Sequence, residues 1–273
     1  MDSDKAIIEL TGVTKAFGDT EILRGVDFRV GACEVVAILG ASGSGKSLLL
    51  RLMLGLASPE AGRITLLGHD ITAMAEVDLL RIRRQVGMVF QGGALFDSLT
   101  VGENVAYPLR EHTRLPEAAI RARVEELLAA VGLRGTEGMT PPVLSGGMRK
   151  RVAIARALAL APEVVLYDEP TAGLDPPNAT RINLLIAELQ RRSCTAAVVV
   201  THDLQRALEV ADRLTFLDEG RLAFCGSPAE FLTSRLPAIE RYAAAEDRRR
   251  LEAYLTAAQA RHTDSGRRLR RAA

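Results

Sequence analysis

Nowhere does the sequence run uninterrupted through the roughly 18 apolar residues that a membrane-spanning helix needs. Residues 1–10 are acidic and have no apolar centre of the kind a secretory leader carries. A soluble, cytoplasmic chain is therefore expected, one that can still sit against a membrane partner. Net charge is also missing: 35 Lys and Arg stand against 34 Asp and Glu. Nothing in that balance demands a polyanionic partner such as nucleic acid. Cysteine is scarce. Cys33, Cys194 and Cys225 are far apart, odd in number and form no CxxC, which fits neither a disulfide framework nor a zinc cluster. They read as buried or half-buried small apolar residues in a reducing compartment. No internal repeat is present. What remains, 48% hydrophobic and 25% charged residues, is ordinary for a soluble α/β unit with insertions.

Residues 7–13 and 22–30 alternate apolar and polar, as half-buried antiparallel strands do. Residues 34–39, 164–167 and 196–200 are continuous apolar runs, the pattern of strands covered on both faces. Helices are predicted over 47–56, 117–131, 147–160 and 178–191, and further strands over 63–67 and 86–90. Buried strands alternating with helices imply an α/β fold with a parallel sheet. The mostly helical block at 92–160 reads as an inserted lobe. The nucleotide-binding unit implied by the motifs below would span 1–235. Residues 236–273 would form a helical extension with an apolar stripe that includes Ile239, Tyr242 and Tyr254, ending in a basic tail.

Gly40, Ala41, Ser42, Gly43, Ser44, Gly45, Lys46 and Ser47 match the P-loop pattern in full, between a predicted strand and a predicted helix that continues through Leu48. Small residues let backbone N–H groups curl around phosphate oxygens, and the positive end of the helix points at the same anion. Lys46 adds a point charge for the β- and γ-phosphates, and Ser47 a hydroxyl for Mg²⁺. The ligand expected is thus a Mg²⁺-nucleotide, ATP by the resemblance given below. The run 164–169 ends in Asp168 and Glu169. Beside a P-loop, Asp168 suits the metal and Glu169 the activation of the attacking water. His202 follows the apolar run 196–200, where ligands meet open α/β sheets, and is read as a γ-phosphate contact.

Leu144, Ser145, Gly146, Gly147 and Met148 complete the set. With the P-loop, Asp168, Glu169 and His202, they make residues 6–232 resemble the nucleotide-binding subunit of ABC transporters. That resemblance implies a P-loop NTPase with a RecA-like parallel core, an antiparallel β subdomain and the family's helical subdomain. It implies that Ser145, Gly146 and Gly147 face the γ-phosphate held by a second copy of the chain. It makes Phe17 the aromatic that stacks on adenine, with a core phenylalanine as the alternative, and Gln91 the glutamine that senses metal and water. Asp175 would end a loop, 171–175, that touches the opposite copy.

Most of that family carry Gln where this chain has Met148. A Met there, and the segment 92–109, resemble the Mla/Mce-type lipid-trafficking subgroup. By that resemblance the region from Gln91 to Leu99 would receive a coupling helix from an integral membrane permease. Apolar Leu95, Phe96 and Leu99 suit either such an interface or packing within the helical lobe. The subunit would lie peripherally on the cytoplasmic face of the inner membrane, free of nucleic acid and with room for accessory subunits. Two rival readings stand beside it: an importer subunit for small polar solutes, and a soluble ABC protein acting on nucleic acid or ribosomes.

Overall fold

A computed structural model describes residues 6–244. The chain opens with an antiparallel pair, β1 (Ile8–Phe17) and β2 (Thr20–Val30), turned at Gly18 and Asp19. Ile8, Leu10 and Val13 lie on the buried face, with a register shift at Gly12 where the alternation slips. Next come β3 (Val35–Leu39), α1 (Lys46–Met53), β4 (Ala61–Leu66), the short β5 (His69–Asp70), α2 (Glu76–Arg83) and β6 (Val86–Val89). The helical lobe holds α3 (Val101–His112), α4 (Glu117–Ala130), a 3₁₀ turn (Pro141–Val143) and α5 (Gly146–Ala157). The chain then returns through β7 (Val164–Asp168), α6 (Pro176–Ser193), β8 (Ala196–Val200) and α7 (Leu204–Val210). It finishes, within the described residues, with β9 (Arg213–Asp218), β10 (Arg221–Gly226), α8 (Pro228–Thr233) and α9 (Pro237–Ala244).

Two sheets result. β2-β1-β4-β5 is antiparallel, while β10-β9-β3-β8-β7-β6 is parallel except for the edge strand β10. Because β3, β7, β8 and β6 all run the same way, their C-terminal ends share one edge. The α/β expectation, with a parallel core and a separate antiparallel sheet, is met.

Period-two alternation assigns the two faces of the parallel sheet to different cores. Val36, Ile38, Leu166 and Val198 pack with α1 and the antiparallel sheet. Val35, Val165, Tyr167 and Val199 pack instead with α3, α4, α5 and α6, so the helical lobe shares its core with the sheet. Ala37 and Leu39 join α7, β9, α8 and α9 in a third cluster. α3 begins with a capping box in which Thr100 and Glu103 each satisfy the other's backbone N–H. α6 begins with Asp175 as N-cap, followed by two prolines in its first turn.

The cysteines depart from expectation. Cys33 and Cys194 are exposed and joined as a disulfide, their Cα atoms 4.4 Å apart, and Cys225 is an exposed free thiol. The parallel register explains the pair: Val35 lies opposite Ala197, which brings the loops entering β3 and β8 side by side. Among the described residues, no helix is long and apolar enough to cross a membrane. The basic tail and Tyr254 lie outside the described residues.

Candidate nucleotide-binding and hydrolytic site

The loop after β3 forms the cradle. Gly45 is the N-cap of α1 at φ 104, a left-handed conformation that a side chain would strain, and Ile22 lies 3.0 Å from where a Cβ would stand. The first helical amides have no partner inside a helix; Leu49 is the first to bond back, to the Gly45 carbonyl at 3.0 Å. Leu48 turns its side chain toward the core beneath, leaving its backbone for the cradle. Lys46 is only 6% exposed, and its ammonium donates to the carbonyls of Gly40 (2.9 Å) and Ala41 (2.7 Å), which arches it over the loop. Burial pushes its pKa below the ordinary lysine value, partly offset by the charges of Glu169 and Asp168.

Two observations show that the residues suit a bound triphosphate and its metal. The Ser44 hydroxyl is shut off from solvent with no protein hydrogen-bond partner, a donor waiting inside an amide-lined loop. The Ser47 hydroxyl donates to Asp168 Oδ1 at 2.9 Å, an oxygen donor pair of the kind Mg²⁺ prefers.

Glu169 follows β7 at φ 46, held by its N–H to the Val200 carbonyl at 3.0 Å. Such a conformation in a non-glycine residue costs on the order of 1 kcal/mol or more, and it persists only where surroundings enforce it. Its Oε1 lies 2.8 Å from His202 Nδ1, and the Thr201 hydroxyl donates to Oε2 at 3.4 Å. The Glu169 side chain is 12% exposed and that of His202 57%, so a shielded carboxylate meets an accessible imidazole. α6 follows Glu169 and α7 follows His202. Buried Glu209 takes the Asn183 amide at 2.8 Å and the Arg206 guanidinium at 3.1 Å, tying those two helices together.

α5 opens with Ser145 as N-cap, its hydroxyl accepting from Met148 N at 3.2 Å, so Gly146 and Gly147 present free amides as the motif predicts. The Asp175 carboxylate is engaged within its own chain, accepting from Asn178 N at 3.0 Å and Nδ2 at 2.6 Å. Asn178 packs 3.6 Å from where a Gly147 Cβ would stand, so the Asp175 loop abuts the Ser145 loop. Phe17 is 61% exposed at the end of β1 with the Lys15 ammonium 5.7 Å from its ring centre, which removes the core alternative. Gln91 is exposed after β6.

One residue was missed. Lys150, in the first turns of α5 and 6% exposed, donates to the backbone carbonyl of Gln91 and reaches that of Glu169 at 3.5 Å. It links the helical lobe to both β6 and β7 ends. In the sequence it sits between Arg149 and Arg151, and only its helical phase separates it from them.

A phosphate-binding loop, an oxygen pair suited to a metal, and a buried carboxylate with its histidine at one sheet edge mark a P-loop nucleotide-binding protein. The family model "ABC transporter" matches residues 23–172, more than half the chain. A 41% identity links the chain to the probable ribonucleotide transport ATP-binding protein mkl of Mycobacterium tuberculosis over 235 residues; the match covers 86% of this chain but 66% of that one. The intermembrane phospholipid transport system ATP-binding protein MlaF of Haemophilus influenzae is 39% identical, with 84% and 87% covered. The sulfate/thiosulfate import ATP-binding protein CysA of Synechococcus elongatus is 45% identical, with 84% and 65% covered. Among solved structures, the dimeric MJ0796 ATP-binding cassette in a post-hydrolysis state with ADP and Pi superposes at TM-score 0.74 and 34% identity, covering 81% and 98%. The cbiO1 subunit of the cbiONQ transporter complex from Clostridium perfringens superposes at 0.79 and 30%, covering 92% and 99%. The chain belongs to the ATP-binding subunits of ABC transporters, and it spans 66% of the length of the mkl relative.

Proposed function

We propose that the chain powers a membrane permease that moves phospholipid or a related lipid, working as a dimer with a second copy of itself around Mg²⁺-ATP. The observation that carries the hydrolytic part is the Glu169–His202 pair, 2.8 Å apart, at the same sheet edge as Ser47 and Asp168. Lys46 and the amides from Gly40 to Leu48 hold the phosphates, Phe17 stacks on the base, and Ser47, Asp168 and Gln91 hold or sense the metal. Mg²⁺, when bound, supplies positive charge against the phosphate oxygens. Glu169 takes the proton of the attacking water, and His202 orients that carboxylate and meets the γ-phosphate. The second copy contributes the amides of Ser145, Gly146 and Gly147 and the Asp175 loop, which completes the anion-binding shell. Closure is favoured because nucleotide binds the closed pair better than the open one.

The permease side is supported by a groove of about 540 Å³ whose lining includes Leu80, Phe90, Phe96 and Tyr107 together with Arg83 and His112. Phe96 is exposed and packs tilted against Tyr107 with centroids 4.9 Å apart, while Leu95 packs against the lobe's core, which supports an interface role for Phe96 and a packing role for Leu95. A peripheral position on the cytoplasmic face of the inner membrane follows from a permease partner.

Lipid as substrate is supported by the near full-length match to MlaF and by Met148 with the segment 92–109. CysA and mkl match with similar identity, which favours a second reading as a small-solute transport subunit. The near-neutral chain gives a nucleic-acid role no support. Purifying the complex from its own membranes in detergent, then identifying bound proteins and lipids, separates these. A permease with phospholipid enriched over the bulk membrane is expected; a permease with a soluble solute-binding partner and no lipid enrichment would favour the second reading.

A further inference from the structure

The geometry points to Tyr242, beyond the nucleotide-binding unit as read from sequence, as a positioning residue for His202. α9 is anchored on its own chain: Ile239 is 2% exposed within the cluster that holds Leu204, Leu208 and Phe216. The Tyr242 ring packs edge-on against Phe216, with centroids 5.0 Å apart and planes at 65°. Phe216 lies on β9 opposite Leu39, the last residue of β3 before the phosphate loop. From that platform the Tyr242 hydroxyl donates to the backbone carbonyl of His202.

That carbonyl belongs to a short linker. β8 ends at Val200 and α7 starts at Leu204, leaving Thr201, His202 and Asp203 between them. Asp203 is fixed as the N-cap of α7, accepting from Arg206 N at 3.0 Å, and its own N–H bonds the Thr201 hydroxyl at 3.1 Å. Thr201 is tied in turn to Glu169. His202 alone has a side chain that stands mostly in solvent, anchored at one atom by Glu169. The Asp203 N–H holds one edge of the His202–Asp203 peptide and the Tyr242 hydroxyl holds the carbonyl edge, so the two bonds together set the peptide plane and with it the direction in which the imidazole leaves the backbone. Tyr242 therefore makes the geometry of the Glu169–His202 pair depend on whether α9 is seated, and connects the C-terminal extension to the hydrolytic site.

This inference rests on His202 and Glu169 serving hydrolysis as proposed above, and the test separates the two. Tyr242→Phe keeps the ring and its packing on Phe216 and removes only the hydroxyl. In the full-length protein, kcat for ATP hydrolysis is expected to fall roughly three- to ten-fold, the equivalent of one lost neutral hydrogen bond. KM for ATP and Tm should stay at wild-type values. His202→Ala alone and His202→Ala with Tyr242→Phe are measured alongside. With the histidine gone, removing the hydroxyl should cost nothing further, a coupling that a purely structural tyrosine would not show. If Tyr242→Phe turns over like the wild type while His202→Ala is crippled, the inference falls and the site reading stands. Equal losses with and without His202, or a kcat loss that tracks a lowered Tm, would also overturn it. If His202→Ala hydrolyses ATP normally, the reading of His202 itself fails.

Discussion

Glu169 combines three properties that rarely meet in one residue: a left-handed backbone, near-complete burial and an imidazole on its carboxylate. The left-handed turn swings the side chain off the β7 line toward β8, which is how adjacent Asp168 and Glu169 come to face different partners, Ser47 and His202. Around them sit two buried lysines, Lys46 and Lys150, each with its pKa pushed down by burial and held up in part by these two carboxylates. Replacing Glu169 by Gln keeps the shape and removes the proton acceptor. Steady-state hydrolysis should drop by about 100-fold or more with nucleotide affinity retained; turnover within a few-fold of wild type would remove Glu169 from its assigned role.

At the scale of elements, the strands that carry the site were legible because each is a short apolar run ending in a chemically distinctive residue. β3, β7 and β8 lie where the runs at 34–39, 164–167 and 196–200 place them, and β8 matches to the residue. α7 was hidden because buried Arg206 and Glu209 make a core helix look polar. Pro108 obscured α3 in the same way, since a proline ordinarily ends a helix. The Cys33–Cys194 pair was invisible because 161 residues separate the two and only the parallel register joins them. A second contact invisible in sequence joins the turn between β2 and β3 to β9. There Arg213 bonds Glu34 through Nε at 2.7 Å and Nη2 at 3.0 Å, while Gly31 N donates to the same carboxylate at 2.8 Å. Burial pushes the Glu34 carboxyl up, but those bonds and the charges of Arg213 and Arg29 outweigh it and leave its pKa lowered. A lowered folded-state value stabilises fully above the ordinary glutamate pKa of about 4.3 and is lost as pH falls through the depressed value. Glu34→Gln should thus cost about 1–2 kcal/mol at pH 7 in urea unfolding, a gap that closes as the pH is lowered through that range. A gap that did not change with pH would assign the cost to packing instead.

For the molecule as a whole, the disulfide closes a loop of most of the parallel core at the sheet end away from the phosphate loop. Thiol titration of unreduced, denatured protein should find one reactive group per chain, Cys225, and reduction should raise that to three. Reduction should also lower stability by roughly 2–5 kcal/mol, seen as a fall in Tm; three free thiols without reductant would contradict the pairing. The larger consequence of the architecture is that each chain presents a phosphate cradle on one lobe and free amides at the start of α5 on another. Both are anion-binding helix starts, and a triphosphate held between copies would satisfy both. Sedimentation of Glu169→Gln protein with and without Mg²⁺-ATP tests this most directly. The mass of two chains is expected with nucleotide and of one without it; a single-chain mass at saturating Mg²⁺-ATP would rule out a triphosphate shared between copies.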